Sequence, residues 1–177
     1  DWCGLDNFEY LFKNDAGIII RNTLLYNVVF IILGMVVGVA LAILITDVYS
    51  RRGKKIYQSA ILLPFLISIV IVSYIVFAFL SVENGMINNG ILKPLGLDPV
   101  QWYSEPKYWP FILTFVNLWK GCGYGTLIYI AGITGIDPAF YEAARLDGAS
   151  RWQQITKITI PCLIPSLITM TMLSLGR

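Results

Sequence analysis

Three long runs of the sequence are almost free of charged residues, and they constrain its fold more than any other feature. The runs are 22–46, 56–82 and 108–136, of 25, 27 and 29 residues, and only Lys120 interrupts the last one. A bilayer core of about 30 Å is crossed by roughly 20 apolar residues in a helix. Because lipid offers the backbone no hydrogen-bond partners, runs of this length and hydrophobicity are expected to be helical.

We therefore predict an all-α integral membrane protein, built as a polytopic helical bundle. Spanning helices are expected over 24–46, 57–80 and 109–134. A fourth apolar run, 162–177, is too short as a helix to complete a crossing. We expect the chain to form a single transmembrane domain, 1–177, and to be a fragment of a longer protein.

The composition excludes several functional classes. Hydrophobic residues make up 56% of the chain and charged residues 14%, far fewer charges than the surface of a soluble domain carries. The net charge of +2 argues against nucleic acid as a partner. The sequence has no histidine, which excludes histidine-dependent metal sites and catalytic triads. In addition, no glycine-rich stretch of the sequence is followed by the Lys-Ser or Lys-Thr pair of a phosphate-binding loop. No metal, nucleotide or other cofactor is therefore expected on this chain.

The charges of the connecting loops predict an orientation in a bacterial cell membrane. Connector 47–56 carries four basic residues within five positions, whereas connector 81–108 mixes two lysines with three acids. Basic residues accumulate on the cytoplasmic side of membrane proteins. Loops 47–56 and 135–161 are therefore predicted to be cytoplasmic, and segments 1–21 and 81–108 extracytoplasmic.

Segment 137–161 is a polar, helix-forming stretch between two apolar runs. Asp137, followed by proline, predicts a capped helix start, and Gly148 predicts a left-handed helix end. Ser150, with a glutamine three positions later, predicts a capping box for a second helix, which Pro161 is expected to stop before the membrane. The sequence thus predicts two short helices joined at a glycine elbow. An amphipathic helix lying flat on the bilayer is the alternative.

The same segment resembles the EAA loop of ATP-binding-cassette importer permeases. Eight residues fall on the positions of that family's signature: Glu142, Ala143, Ala144, Asp147, Gly148, Ala149, Ile158 and Pro161. In that family the loop is the coupling helix, which docks in a groove of the cytoplasmic ATPase. The resemblance implies that Glu142 and Asp147 make polar contacts or orient the helix, and that Gly148 forms the elbow.

Weaker similarity to carbohydrate permeases, of the maltose type and particularly those for oligosaccharides or polysaccharide fragments, extends over nearly the whole chain. It is carried by Gly4-Leu5-Asp6-Asn7-Phe8, Leu11-Phe12, Leu63-Pro64 with Ser68, Gly85-Met86-Ile87-Asn88, Leu118-Trp119 and Ala131-Gly132-Ile133. The resemblance implies two cytoplasmic subunits that bind ATP and Mg, a second permease subunit and an extracytoplasmic solute-binding protein. It also implies that this chain, a permease subunit, has no catalytic residue.

Other functions are left open by the sequence. An amino-acid or peptide permease of the same superfamily is one, and a non-transporting membrane scaffold is another. A secondary transporter is a third, and such proteins place ion-coupling carboxylates at mid-membrane. The predicted spans 24–46, 57–80 and 109–134 contain no aspartate or glutamate, which argues against that class.

Lys120 is the one charge inside the three complete predicted spans. A charge within the membrane is costly, which suggests that this side chain faces a pathway. Beside a sugar, Lys120 would donate to hydroxyl groups, and the rings of Trp119 and Tyr124 would stack on the sugar faces. Pairing with an acid on another helix, or snorkelling along its own helix, are the alternatives.

Overall fold

The structure, a computed structural model, describes residues 16–176, and its regular structure is helical throughout that range. The α-helices in chain order are α1 (Ala16–Asp47), α2 (Arg51–Leu66), α3 (Ile69–Leu80), α4 (Trp109–Thr134), α5 (Pro138–Leu146), α6 (Arg151–Gln154) and α7 (Ile160–Leu175). Two π-helices, Asn88–Leu92 and Ile155–Thr159, and a 3₁₀-helix, Pro106–Tyr108, lie between them. The all-α prediction is confirmed. The similarities noted at Gly4–Phe8 and Leu11-Phe12 lie outside the described residues.

Two helical stretches of the described chain are long and apolar enough to cross a membrane, Ala16–Asp47 and Arg151–Leu175. The pair α2 and α3 adds a third if it is one broken span. The first helix begins at Ala16, eight residues before its predicted start, so Arg21 lies inside it. Its long side chain can reach from the helix end toward the headgroups, which lets the helix start before the charge.

The predicted span 57–80 is broken rather than continuous. The axes of α2 and α3 differ by 94°. Pro64 lies inside α2, and the break comes after it, where Ile67 and Ser68 adopt extended ψ angles of 134° and 143°. The Ser68 hydroxyl accepts from the amide of Val70 and so caps α3. The break thus lies after Pro64 and not at it, because a capping serine after the proline starts a new helix.

Helix α4 is the centre of the described bundle and contacts α1, α2 and α7. The buried core lies at its C-terminal half and comprises Ala42, Ile45, Tyr129, Ile130, Ile133 and Leu163. The helix has the predicted bounds of 109–134, yet it is not among the stretches apolar enough to cross a membrane by composition. Its asparagine, lysine and glycines lower its mean hydropathy, and a helix surrounded by other helices needs less apolar surface than one in lipid.

Glycine allows α4 to approach its neighbours closely. A Cβ atom at Gly123 would overlap the carbonyl oxygen of Ile61 on α2. At Gly38 of α1, a Cβ would lie 3.0 Å from the ring of Tyr129. Gly34, four positions before Gly38 on α1, meets no atom within 4 Å in the described chain. Gly123 and Gly38 are thus two glycines at which α4 lies close to a neighbouring helix.

The connector 81–108 is a set of turns and short helices folded around one buried side chain. Asn88 is 1% exposed, and its amide nitrogen donates to the Val100 carbonyl at 3.0 Å. Its oxygen accepts from the Val100 amide and from the Trp102 indole at 3.2 and 3.0 Å. The ring of Trp102 also packs on Tyr108, with centroids 4.9 Å apart. The connector is therefore ordered by local contacts.

We expect Gly123→Ala to destabilise the full-length protein, because the added methyl group must push α2 away from α4. Overpacking of this kind costs roughly 1–3 kcal/mol. Thermal unfolding in detergent measures the loss. Gly121→Ala is the matched control, since a Cβ at Gly121 meets no atom within 4 Å in the described chain. Equal loss of stability in the two variants would contradict the close approach of the helices.

Candidate functional site

The predicted glycine elbow at the end of α5 is confirmed in its backbone geometry. The helix starts with a carboxylate oxygen of Asp137 accepting from the Ala139 amide at 2.9 Å. At its end Gly148 has φ +75°, and its amide donates to the Arg145 carbonyl at 3.1 Å. The following amide, of Ala149, donates to the Ala144 carbonyl at 2.8 Å. These two bonds and the positive φ form a Schellman motif, the helix end that glycine favours.

The second helix of the segment starts with the predicted capping box. The amide of Gln153 donates to the hydroxyl of Ser150, and the side-chain oxygen of Gln153 accepts from the amide of Ser150 at 2.7 Å. The next side chain, Gln154, is 4% exposed and donates to the carbonyl of Ala149 at 3.0 Å. The elbow is therefore held by backbone hydrogen bonds on its α5 side and by side chains on its α6 side.

The prediction that Pro161 stops this second helix is wrong. Helix α6, the π-helix Ile155–Thr159 and α7 follow one another without interruption, and Arg151–Leu175 forms one stretch of 25 residues. In the π-helical turn the amide of Ile160 donates to the carbonyl of Ile155, five residues back. The shift in hydrogen bonding places Pro161 in the first turn of α7, where a missing amide proton is tolerated. The segment thus runs directly into a helical stretch that is long and apolar enough to cross a membrane.

The eight signature residues are divided between exposed and half-buried positions. Exposed residues are Glu142, Ala143, Asp147, Gly148 and Pro161, and half-buried residues are Ala144, Ala149 and Ile158. Three apolar side chains that are not part of the signature are also well exposed here: Phe140 at 60%, Leu146 at 89% and Trp152 at 72%. We call Phe140, Leu146 and Trp152, with Glu142 and Asp147 between them, the knuckle surface. The signal for Phe140 and Leu146 was present in the sequence, as large apolar residues within a polar helix.

A side-chain ion pair fastens this segment to the end of α1, and a side-chain hydrogen bond joins two parts of the segment to each other. Arg151 forms an ion pair with Asp47 at the end of α1, and its Nε lies 3.3 Å from the second carboxylate oxygen. The hydroxyl groups of Tyr141 and Thr159 are 2.9 Å apart, which joins α5 to the π-helix. A cleft of about 800 Å³ separates the segment from the end of α1, and Lys54 lines it together with these groups. Neither contact was predicted.

A second cavity lies in the predicted membrane region, near the middle of α4. Its volume is about 260 Å³, and its lining includes Asn27, Phe65, Asn117, Tyr124 and Met170. The rings of Phe65 and Tyr124 stack with centroids 5.3 Å apart and planes 15° apart. Such a wall, apolar and aromatic with amide groups beside it, has the composition of a small-molecule site.

The three residues predicted for a substrate pathway are placed differently around this cavity. Tyr124 lines it, whereas Trp119 and Lys120 are not among its lining residues. The ammonium group of Lys120 donates to the carbonyls of Ile67 and Phe65, at 2.6 and 3.1 Å. These carbonyls lie at the break between α2 and α3. The sequence did not identify this partner, because the contact spans more than 50 positions along the chain.

Comparison with known proteins identifies relatives over almost the full length of the chain. The polygalacturonan/rhamnogalacturonan transport system permease protein YteP of Bacillus subtilis (strain 168) is 31% identical over 99% of this chain and 55% of its own length. This chain thus spans about half of that relative.

Solved structures are similar as well. One is the crystal structure of a bacterial ABC transporter involved in the import of the acidic polysaccharide alginate, with TM-score 0.89, 40% identity, and 99% of this chain and 61% of that chain covered. Another is a bacterial alginate ABC transporter in complex with an alginate pentasaccharide-bound periplasmic protein, with TM-score 0.88, 39% identity, and 98% and 60% covered.

A family model agrees with these relatives. The model for the binding-protein-dependent transport system inner membrane component matches residues 31–177, which include the whole elbow segment, the cavity-lining part of α4 and the ion pair between α1 and α6. The match covers well over half of the chain, and the chain belongs to this family of membrane transport components.

Proposed function

We propose that the chain is part of a permease subunit in an ATP-driven importer that carries an oligosaccharide or polysaccharide fragment across the cell membrane. The observation that carries the proposal is the elbow segment, which runs without interruption into the apolar helix α7 and is fastened to α1. A force applied to the surface of such a segment can reach both α1 and α7. The relatives support the substrate class, since YteP is a polygalacturonan/rhamnogalacturonan permease and the similar structures import alginate. They favour sugar over the amino-acid or peptide alternative.

The partners that we propose follow from the family. They are two cytoplasmic subunits that bind ATP and Mg, a second permease subunit, and an extracytoplasmic solute-binding protein. The alginate transporter in complex with a periplasmic protein supports the last of these. Hydrolysis of ATP would take place on the cytoplasmic subunits, and this chain would perform no covalent chemistry.

The knuckle surface is the proposed contact for the ATPase. Its apolar side chains are exposed, and Glu142 and Asp147, between them in sequence, are exposed as well. Apolar anchors surrounded by polar groups are typical of protein interfaces. Movement of the ATPase would displace the elbow, and the continuous stretch Arg151–Leu175 would carry the displacement into the membrane as a rigid-body shift.

The cavity beside α4 is the proposed part of the sugar pathway on this chain. The stacked rings of Phe65 and Tyr124 offer an apolar face, which suits the apolar faces of a sugar ring. The amides of Asn27 and Asn117 would donate to and accept from sugar hydroxyls. Trp119 and Lys120 lie on the same stretch of α4 but do not line the cavity, so Tyr124 is the one of the three that is proposed to contact sugar.

We predict that Gly148→Val abolishes coupling and that Gly148→Ala weakens it. A residue with a side chain at φ +75° costs roughly 1 kcal/mol or more, and a β-branched residue costs most. Sugar-stimulated ATP hydrolysis and recovery of the ATPase on purification are the measurements. Gly135→Ala is the control, because Gly135 has a negative φ of −83° at the end of α4. Normal ATPase recovery and normal uptake with Gly148→Val would refute the coupling role.

For the ion pair of Asp47 and Arg151, we predict that the charge-swapped double variant works better than either single one. Asp47→Arg and Arg151→Asp each place like charges together and are expected to lower uptake. An exposed pair contributes roughly 0.2–1 kcal/mol to stability, so folding should change little. Asp47→Arg combined with Arg151→Asp should recover part of the uptake. A double variant as poor as the worse single variant would show that the pair does not fasten the segment.

The predicted orientation is tested with single cysteines in the full-length protein without its native cysteines. Ser50 and Ser150 cap helices, so fully exposed Tyr49 and exposed Lys157 are better positions on the predicted cytoplasmic side. Cysteines there should react only with reagents that reach the cytoplasm, and one at Ser104 should react in intact cells. Labelling at Lys157 from outside would exclude contact between the elbow segment and a cytoplasmic ATPase.

A further inference from the structure

The break between α2 and α3 leaves backbone carbonyl groups without helical partners. The last four carbonyls of an α-helix have no donor within the helix. Here the amide of Ile67 donates to Pro64, and the amide of Val72 donates to Ser68. The carbonyls of Phe65 and Ile67 need other donors, and they lie in a part of the chain with little water if it crosses the membrane. An unsatisfied carbonyl in that setting costs several kcal/mol.

Lys120 supplies the donor for both groups from the neighbouring helix α4. Its ammonium nitrogen lies 2.6 Å from the Ile67 oxygen and 3.1 Å from the Phe65 oxygen. The C-terminal end of a helix carries partial negative charge, so a cation is favourable there even without an acidic partner. The same nitrogen is 5.9 Å from the centroid of the Phe65 ring. The contacts account for a charge within the bundle without requiring a bound ligand.

We infer that Lys120 is a positioning residue that fixes the break between α2 and α3, and through it the direction of α3 and the place of Phe65. Phe65 stacks on Tyr124 at the wall of the cavity, so the position of the break also shapes that wall. The ammonium group acts on the backbone of α2 and does not bind sugar. The consequence for transport rests on the proposed function, whereas the geometry of the break does not.

Spin labels on the two sides of the break test the inference directly. Exposed Ala60 on α2 and exposed Tyr74 on α3 carry the labels in the full-length, otherwise cysteine-free permease, in lipid and without sugar or ATPase. The native protein should give a single narrow distance distribution. Lys120→Met keeps the length of the side chain but cannot donate, and the narrow distribution should be lost. Lys120→Arg keeps the charge and donors and should retain it.

The matched control is Lys54→Met. Lys54 also donates from its ammonium group to a backbone carbonyl, that of Thr46 at 2.6 Å, at the opposite end of α2 from the break. Its loss should leave the label distances at the break unchanged. If Lys120→Met does not accumulate in the membrane, Lys120→Gln serves in its place, since it removes the charge and shortens the reach. A native distribution in whichever neutral variant is measured would overturn the inference, as would equal broadening with Lys54→Met.

Transport kinetics separate positioning from sugar binding. A positioning role predicts that Lys120→Met lowers the maximal uptake rate, with sugar selectivity unchanged. A changed order of preference among sugars, with a native label distribution, would instead make Lys120 a ligand and overturn the inference. The label distances are measured without transport. A broadened distribution in Lys120→Met, together with a native protein that transports no sugar, would therefore support the positioning role and reject the proposed function.

Discussion

The need to satisfy backbone hydrogen-bonding groups away from water underlies two departures from regular helix, the break between α2 and α3 and the π-helical turn before α7. Lipid supplies neither donors nor acceptors, so a helix can end or bend within a bundle only where the protein itself provides them. At the end of α2 the donor is the ammonium group of Lys120. At the start of α3 the hydroxyl of Ser68 accepts from the amide of Val70. Ahead of α7 a π-helical turn shifts the bonding pattern and lets the helix continue past Pro161.

Close packing around α4 is the second condition for this architecture. Gly123 brings α4 against the backbone of α2, and Leu163 of α7 is fully buried against the same helix. The buried core lies near the end of α4 that leads into the elbow segment. Toward the middle of the helix the packing opens into the cavity lined by Tyr124. With a tightly packed end beside the elbow and the cavity farther along, α4 could transmit movement of the elbow to the cavity.

The continuity between the elbow segment and α7 changes how the segment can work. Two short helices ending at Pro161 would form a flexible attachment, and movement of the elbow would be absorbed at the proline. A helical stretch of 25 residues that continues through the proline is stiffer than two helices that end at it. With Arg151 held by Asp47, the elbow is braced against α1 as well. Displacement of the elbow therefore has two stiff routes into the bundle.

Local sequence chemistry determined a large part of this protein. The all-helical fold followed from the length of the uncharged runs, and the start and end of α5 and the capping box at Ser150 followed from residues within four positions of one another. These features depend on short-range hydrogen bonds and on the backbone freedom of one glycine, Gly148, so the order of residues is sufficient to predict them.

Only the tertiary structure decided the rest. The partners of Lys120 are 53 and 55 positions away, and that of Arg151 is 104 positions away. The sequence marks such side chains as unusual but does not say which backbone or carboxylate they will meet. The position of the break after Pro64 was not predicted, and the stop at Pro161 was wrongly predicted, for a related reason. A proline removes one hydrogen bond, but whether the helix ends depends on whether a cap, a π-helical turn or a neighbouring helix satisfies the groups left open.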